Sequence, residues 1–438
     1  MRNAITNWVL VSLLCFASAA CSVQPAPSPS PTAPPTLLPV PADALVLTNG
    51  TVIIGTGAAP IPNGIIVIQR ERIVAVGRAA DYAIPPGIKV VDANRGTILP
   101  GIFNAHVHGV SNAAIRRVYF LLKGVTSVCE MGSRLNEMQQ FELDHVSGPA
   151  ARGFRSGPMI TAPGGYPDVV WHANLNYEVT GPDEARAAVA DLVNRGADVI
   201  KITLEPGSAQ EPWPILNLEQ VKTIVQAAHE RDRLVRAHAG RTDGTDVLDI
   251  VVESGVDVIE HVPIPVFSSW DVYNLIKDQA HFALDSDYEA RLARLVAHQV
   301  AMVPTLDAHS FWCESPELTS EQQQACLEFY VEPVRHFHTL GGVVALANDY
   351  GADEAIQRGM PLREMRLLLA AGLTPMQVIE AGTRNAARVC GHGKELGTLE
   401  PGKLADVIVV NGDPLADIEV MNQVSVVIKD GQIVHTLE

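Results

Sequence analysis

The stretch Pro100-Gly-Ile-Phe-Asn-Ala-His-Val-His-Gly109 decides how the rest of the chain is read. From Ile102 to Val107 it has the apolar texture of a short buried strand, and it carries His106 and His108 at its end. Residues two apart on a strand point to the same side, so both imidazoles face one point. On a helix the same spacing would set them roughly 200° apart. Two neutral imidazoles converging at a strand end suit a zinc-like divalent ion. Alone, His-x-His is a common accident, and the reading turns on whether later strands bring further ligands to the same place.

A chain of 438 residues holds one large domain and a smaller one. An apolar fraction of 47% with 18% charged residues fits a well-buried α/β enzyme rather than a disordered protein. The net charge is −17, from 32 basic against 49 acidic residues, and no Lys/Arg cluster stands out. Nucleic acid and anionic membrane surfaces are therefore poor partners, and the acidity reads as solubility. At the start, Arg2, an apolar run from Trp8 to Phe16 and Ala17-Ser-Ala-Ala-Cys21 form a secretory signal too short to span a membrane. Small residues before Cys21 resemble a bacterial lipobox, although Ser18 stands where that pattern usually has Leu, which leaves ordinary cleavage open. The expectation is an exported protein, lipid-anchored at Cys21, with residues 22–43 as a Pro/Ser/Ala-rich tether. In an oxidising compartment Cys313 and Cys326 are a candidate disulfide, and Cys129 is expected to be buried and inert.

Residues 44–98 read as all-β, with short β-branched runs and with Asn49-Gly50 and Asn63-Gly64 as turns. Residues 397–438 have the same texture, which suggests one small β-sandwich assembled from both termini. Between them, residues 99–396 alternate strand and helix. Pro182 to Arg195 and the segment capped by Asn217 are amphipathic helices, and helices repeatedly stop on glycine before a new strand. Eight candidate strands lie near Ile102–His106, Thr126–Cys129, Met159–Thr161, Val199–Thr203, Leu234–His238, Val256–Glu260, Ala301–Leu306 and Val344–Ala347. That count predicts an α/β fold, a (β/α)8 TIM barrel with its chemistry at the C-terminal strand ends. An open doubly wound sheet is the alternative, but no Gly-rich phosphate loop supports it.

Polar residues accumulate where such a barrel needs them. Lys201 sits inside the apolar fourth strand, His238 ends the fifth, His261 follows the sixth and Asp349 the eighth. Each has a bland explanation by itself; a buried lysine, though, can lose its proton and become reactive. The order His-x-His, Lys, His, His, Asp, within Leu99-Pro-Gly-Ile-Phe-Asn-Ala-His-Val-His, Gly196-Ala-Asp-Val-Ile-Lys-Ile, Gly255-Val-Asp-Val-Ile-Glu-His and Leu399-Glu-Pro-Gly-Lys-Leu-Ala-Asp, resembles the amidohydrolase superfamily. Within it the chain is most similar to the imidazolonepropionase-like and prolidase-like branch, over roughly Leu45 to Val434.

The resemblance implies two divalent metal ions, zinc by preference. His106, His108 and Asp349 would hold one and His238 and His261 the other, with Lys201, carboxylated by CO2, bridging them. It implies a hydroxide shared by the ions, with Asp349 moving the proton to the leaving amine. One departure is Ala347-Asn-Asp349 where the family usually has Gly-Thr-Asp or Gly-Ser-Asp. Tyr166 stands where relatives often place a substrate-contacting histidine. Tyr166, His172 and Arg241 are candidate substrate contacts, each against a plain surface reading, while His309, His229, His281, His298, His336 and His338 are read as bland. The expected activity is hydrolysis of a C–N amide bond in a small-molecule or short-peptide substrate, of dipeptidase, carboxypeptidase or imidazolonepropionase type. The rivals are an esterase, lactonase or organophosphate hydrolase on the same site, and a non-catalytic anchored binding protein. The sequence leaves a homo-oligomer open.

Overall fold

The computed structural model describes residues 37–438 except 112–113, 139–149, 209, 240–246, 265–268, 279–285, 352–353, 355–356, 358 and 437–438. The expected signal, the lipidation site Cys21, most of the 22–43 tether and Arg241 lie outside the described residues. β1 (Leu45–Val52), β2 (Ile61–Gln69), β3 (Arg72–Arg78), β4 (Lys89–Asp92) and β5 (Thr97–Pro100) form where the β-branched runs were read. The two Asn-Gly pairs do not end strands as expected. Asn49 and Asn63 take positive φ inside β1 and β2, next to Gly50 and Gly64, where the register of the pair shifts. An Asn in the left-handed region supplies a bulge as readily as a turn. At Gly64 only a glycine fits, because a Cβ would meet Val52 Cγ2 at 2.4 Å.

The middle of the chain supplies parallel strands: β6 (Ile102–His108), β7 (Val125–Glu130), β8 (Arg152–Arg155), β9 (Met159–Thr161), β10 (Asn176–Glu178), β11 (Ile200–Thr203), β12 (Val235–His238), β13 (Val258–Glu260), β14 (Ala301–Val303) and β15 (Tyr350–Gly351). They fall into two parallel sheets, in the orders β8-β7-β6-β15 and β10-β9-β11-β12-β13-β14. On one side a hydrogen bond links the sheets from Asp198 N, which leads into β11, to Arg155 O of β8 (2.8 Å). On the other side residues 343–349 run between β14 and β6, with Ala345 N on Met302 O (2.9 Å) and Ala105 N on Leu346 O (3.1 Å). This segment is the expected eighth strand, but it makes only an isolated bridge, Met302 to Val344. Leu346 N is diverted to Ala381 O, so the ladder is interrupted.

The helices follow their signals. Pro182 opens Pro182–Asn194, and Asn217 and Gln220 form a reciprocal capping box on Leu218–His229. At the C-terminus β16 (Val407–Val410), β17 (Val424–Lys429) and β18 (Gln432–Thr436) join the N-terminal strands in one mixed sheet, ordered β18-β17-β16-β5-β1-β2-β3 with β4 against β1. Alternate residues of this sheet enter two cores: Leu45, Leu47, Ile66 and Ile68 pack with Leu399, Val407 and Ile428, whereas Val46, Ile65 and Val67 pack with Val40 and Ala44.

A third apolar cluster holds Phe103 and Ala105 of β6, Cys129 of β7, Val199, Val258 of β13 and Ala301 and Val303 of β14. Strand periodicity turns Val199 and Lys201, and likewise Val258 and Glu260, to the same side, so an apolar layer lies directly beneath the polar one.

The candidate pair Cys313 and Cys326 is disulfide-bonded across 13 residues of sequence, and Cys129 is buried as expected. Replacing Cys313 and Cys326 together by Ser should lower unfolding stability by about 3 kcal/mol, read as a shift in denaturant midpoint; a loss under about 1 kcal/mol would contradict this.

Candidate metal centre

The C-terminal ends of the parallel strands bring the expected residues together. His106 and His108 leave β6 on one side, and Asp349 enters from the segment before β15, its backbone nitrogen held by His106 O at 3.0 Å. His106 Nε2 and His108 Nε2 are 3.2 Å apart, and each lies 3.1 Å from Asp349 Oδ1. Zinc–nitrogen bonds of roughly 2.05 Å in a tetrahedral arrangement separate ligand atoms by about 3.3 Å. The three donor atoms therefore fit one ion. Asp349 Oδ2 faces a second group, with His261 Nδ1 and His309 Nε2 each 3.6 Å away. Both Asp349 and His261 have positive φ, 54° and 65°, an uncommon conformation for non-glycine residues that neighbours here hold in place.

Below these groups is a buried charge network that the sequence reading did not find. Glu260, fully buried at the end of β13, accepts from Arg236 Nε at 2.5 Å, and its other oxygen lies 2.8 Å from His106 Nδ1. Arg236, equally buried on β12, also donates to Ala105 O at 2.9 Å. A carboxylate on Nδ1 holds the proton there and leaves Nε2 free as a metal-binding lone pair. Burial would raise the Glu260 carboxyl, but Arg236, Lys201 and His106 hold it well below the usual carboxylate range. Glu130 has a parallel role at the end of β7, accepting from the backbone nitrogens of Gly109 (2.5 Å), Val110 (2.9 Å) and Ser111 (2.5 Å) just beyond His108.

Lys201 on β11 is 1% exposed, and its Nζ makes no hydrogen bond, with Glu260 Oε1 3.7 Å away. Burial, reinforced by Arg236, pushes the ammonium down to about 8. Burial also lowers His238 and His261, the latter well below its usual value with His238 and His309 adding to the effect. His108 is raised, because Asp349 outweighs burial. Asp349 itself is held well below its usual range: burial opposes ionisation, but the surrounding histidines prevail. Glu260 and Asp349 are thus held as carboxylates and His238 and His261 toward the neutral imidazole, the donor forms a divalent ion requires.

His238 Nε2 lies 3.6 Å from Glu205 Oε2, and its ring stacks on Tyr166 with centroids 4.6 Å apart. Tyr166 is thereby placed beside the site, and burial keeps its phenol protonated. His172 is exposed, in left-handed conformation at the end of the short helix Asp168–Trp171. His309, read as bland from sequence, lies instead within 3.0 Å of His261 Nδ1. The available signal was its place three residues beyond the seventh candidate strand.

Residues 97–434 match the model of the Amidohydrolase family. Ochratoxinase of Aspergillus niger is 25% identical over 448 residues, covering 87% of this chain and 84% of that protein. Its solved structure aligns with a TM-score of 0.70 at 22% identity, over 90% of this chain and 96% of that one. Imidazolonepropionase of Solibacter usitatus is 24% identical over 404 residues, covering 82% and 87%. A prolidase solved with N-methylphosphonate-L-proline aligns with a TM-score of 0.69 at 25% identity, over 90% of this chain and all (100%) of that one.

Removing Arg236 leaves Glu260 buried against a smaller countercharge. Arg236→Met should therefore destabilise the metal-depleted protein by about 3–5 kcal/mol in urea unfolding, and a change below about 1 kcal/mol would show the network to be dispensable.

Proposed function

The chain belongs to the amidohydrolase family, and we propose that it hydrolyses a C–N amide bond in a small peptide-like or cyclic amide at a site for two divalent ions, zinc by preference. The observation that carries this reading is the Asp349 carboxylate, one oxygen turned to His106 and His108 and the other toward His261. In this reading His106, His108 and Asp349 hold one ion, His238 and His261 the other, and carboxylated Lys201 bridges them. Such ions supply Lewis acidity toward a carbonyl and lower the pKa of water. Asp349, kept ionised by its histidines, accepts the proton of the attacking water and delivers it to the departing amine nitrogen. Tyr166, against His238, borders the substrate space. Arg241, a rim contact for a substrate carboxylate, belongs to the same proposal. The ligand of the prolidase neighbour, N-methylphosphonate-L-proline, has the size intended here.

The neutral Lys201 amine attacks CO2, a C–N bond forms and a proton leaves, so that a cation becomes a bridging carboxylate. The architecture we infer is a barrel closed through residues 343–349, capped by a β-sandwich of the two termini. The Cys313–Cys326 disulfide supports export, with anchoring at Cys21.

Turnover should appear within a panel of dipeptides, N-acyl amino acids and cyclic amides, vanish on chelation and return with zinc. Hydrolysis of esters or lactones without any amide would replace the amide reading.

Because Lys201 is pushed down to about 8, its neutral fraction rises through that pH. Activity in bicarbonate buffer should climb between about pH 7 and pH 9, and CO2 depletion should suppress the climb until bicarbonate is restored. Lys201→Ala should cost at least about 100-fold in kcat/KM. Indifference to both CO2 and Lys201 would contradict the bridge.

A further inference from the structure

We propose that His309 is a direct ligand of the second ion, so that the segment following β14 contributes to the metal centre; this rests on the binuclear reading above. Among the described residues, two groups of three potential ligands converge: His106, His108 and Asp349, and His261, His309 and Asp349. In the second group His309 Nε2 is 3.0 Å from His261 Nδ1, and both nitrogens are 3.6 Å from Asp349 Oδ2. These separations bracket the roughly 3.3 Å expected between ligand atoms on one tetrahedral zinc.

Crowding at His261 Nδ1 points the same way. Thr305 Oγ1 approaches it at 2.7 Å, His309 Nε2 at 3.0 Å and Asp349 Oδ2 at 3.6 Å. One ring nitrogen offers one proton or one lone pair, so a hydrogen bond satisfies one of these neighbours. A cation among them accepts a lone pair from His261, His309 and Asp349 together.

The segment holding His309 is built to fix its position. Thr305 is fully buried with φ of 48°, and it starts the single helical turn Leu306–His309. The buried Glu364 carboxylate accepts from Leu306 N at 3.1 Å and Asp307 N at 2.6 Å. Asp307 in turn accepts from Arg363 Nη1 at 2.9 Å and from the hydroxyl of Tyr350 at 3.1 Å. Tyr350 is the residue after Asp349, so one hydrogen-bond net fixes both His309 and the carboxylate it faces. A histidine that only faces solvent needs no such support.

The test is zinc affinity, measured by chelator competition on the full chain, for wild type, His309→Ala, His309→Gln and His309→Glu, with turnover recorded separately. The first zinc should bind all four proteins alike. The second should bind His309→Ala and His309→Gln at least about 100-fold more weakly, with affinity largely restored in His309→Glu, whose carboxylate can ligate. An unchanged second affinity in His309→Gln, whatever its turnover, would overturn the proposal and leave His309 as a hydrogen-bonding or substrate-facing group. If these variants fail to fold, cobalt-loaded wild type decides: large paramagnetic shifts of the His309 ring protons support ligation, and ordinary shifts refute it. A wild type that binds only one ion would instead sink the binuclear reading, so the two failures are distinguishable.

Discussion

The Asp349 carboxylate is shared, and the site is built around that sharing. Its two oxygens face different histidines, His106 and His108 on one side and His261 and His309 on the other. Ionisable groups at such density in a buried place repel or desolvate one another unless each is held in one protonation state. Glu260 orients His106 through Nδ1, and Arg236 keeps Glu260 ionised while tying itself to the carbonyl of Ala105 beside His106. Glu130 clamps the backbone just past His108. The chain thus uses buried charges to orient the histidines of the site.

The fold makes this arrangement accessible to chemistry while keeping it rigid. Strand periodicity places Val199 and Val258 under Lys201 and Glu260, so the polar layer rests on a packed apolar floor. The mixed terminal sheet is coupled to the same site through one short connection, since β5 ends at Pro100 and β6 begins at Ile102. Gly101 between them has no room for a side chain, as a Cβ would meet Thr126 Oγ1 at 2.2 Å. The His106 strand is therefore anchored at its base against β7 as well as at its tip.

Much of this was legible in the sequence, because strand-end ligands obey simple periodicity. His106 and His108, two apart, had to converge if their segment was a strand, and Lys201, His238, His261 and Asp349 stood at the ends or interiors of recognisable apolar runs. Other features depend on contacts that no local pattern records. Glu260 looks like one more polar residue beside His261 until the fold sets it against Arg236 of the neighbouring strand. His309 follows its strand by a helical turn rather than at its end, so strand spacing gave no reason to aim it at Asp349. The Asn-Gly pairs carry the same positive φ in a bulge as in a turn. Residues 343–349 look like a regular strand in sequence, but Leu346 gives its amide to Ala381.

The central claim is that two divalent ions sit side by side at this site, one held by His106, His108 and Asp349 and the other beside His261, and anomalous diffraction at the zinc edge from zinc-loaded crystals tests it most directly. The account predicts two anomalous peaks, one beside His106 and His108 and the other beside His261. A single peak, or a second peak remote from His261, would contradict it.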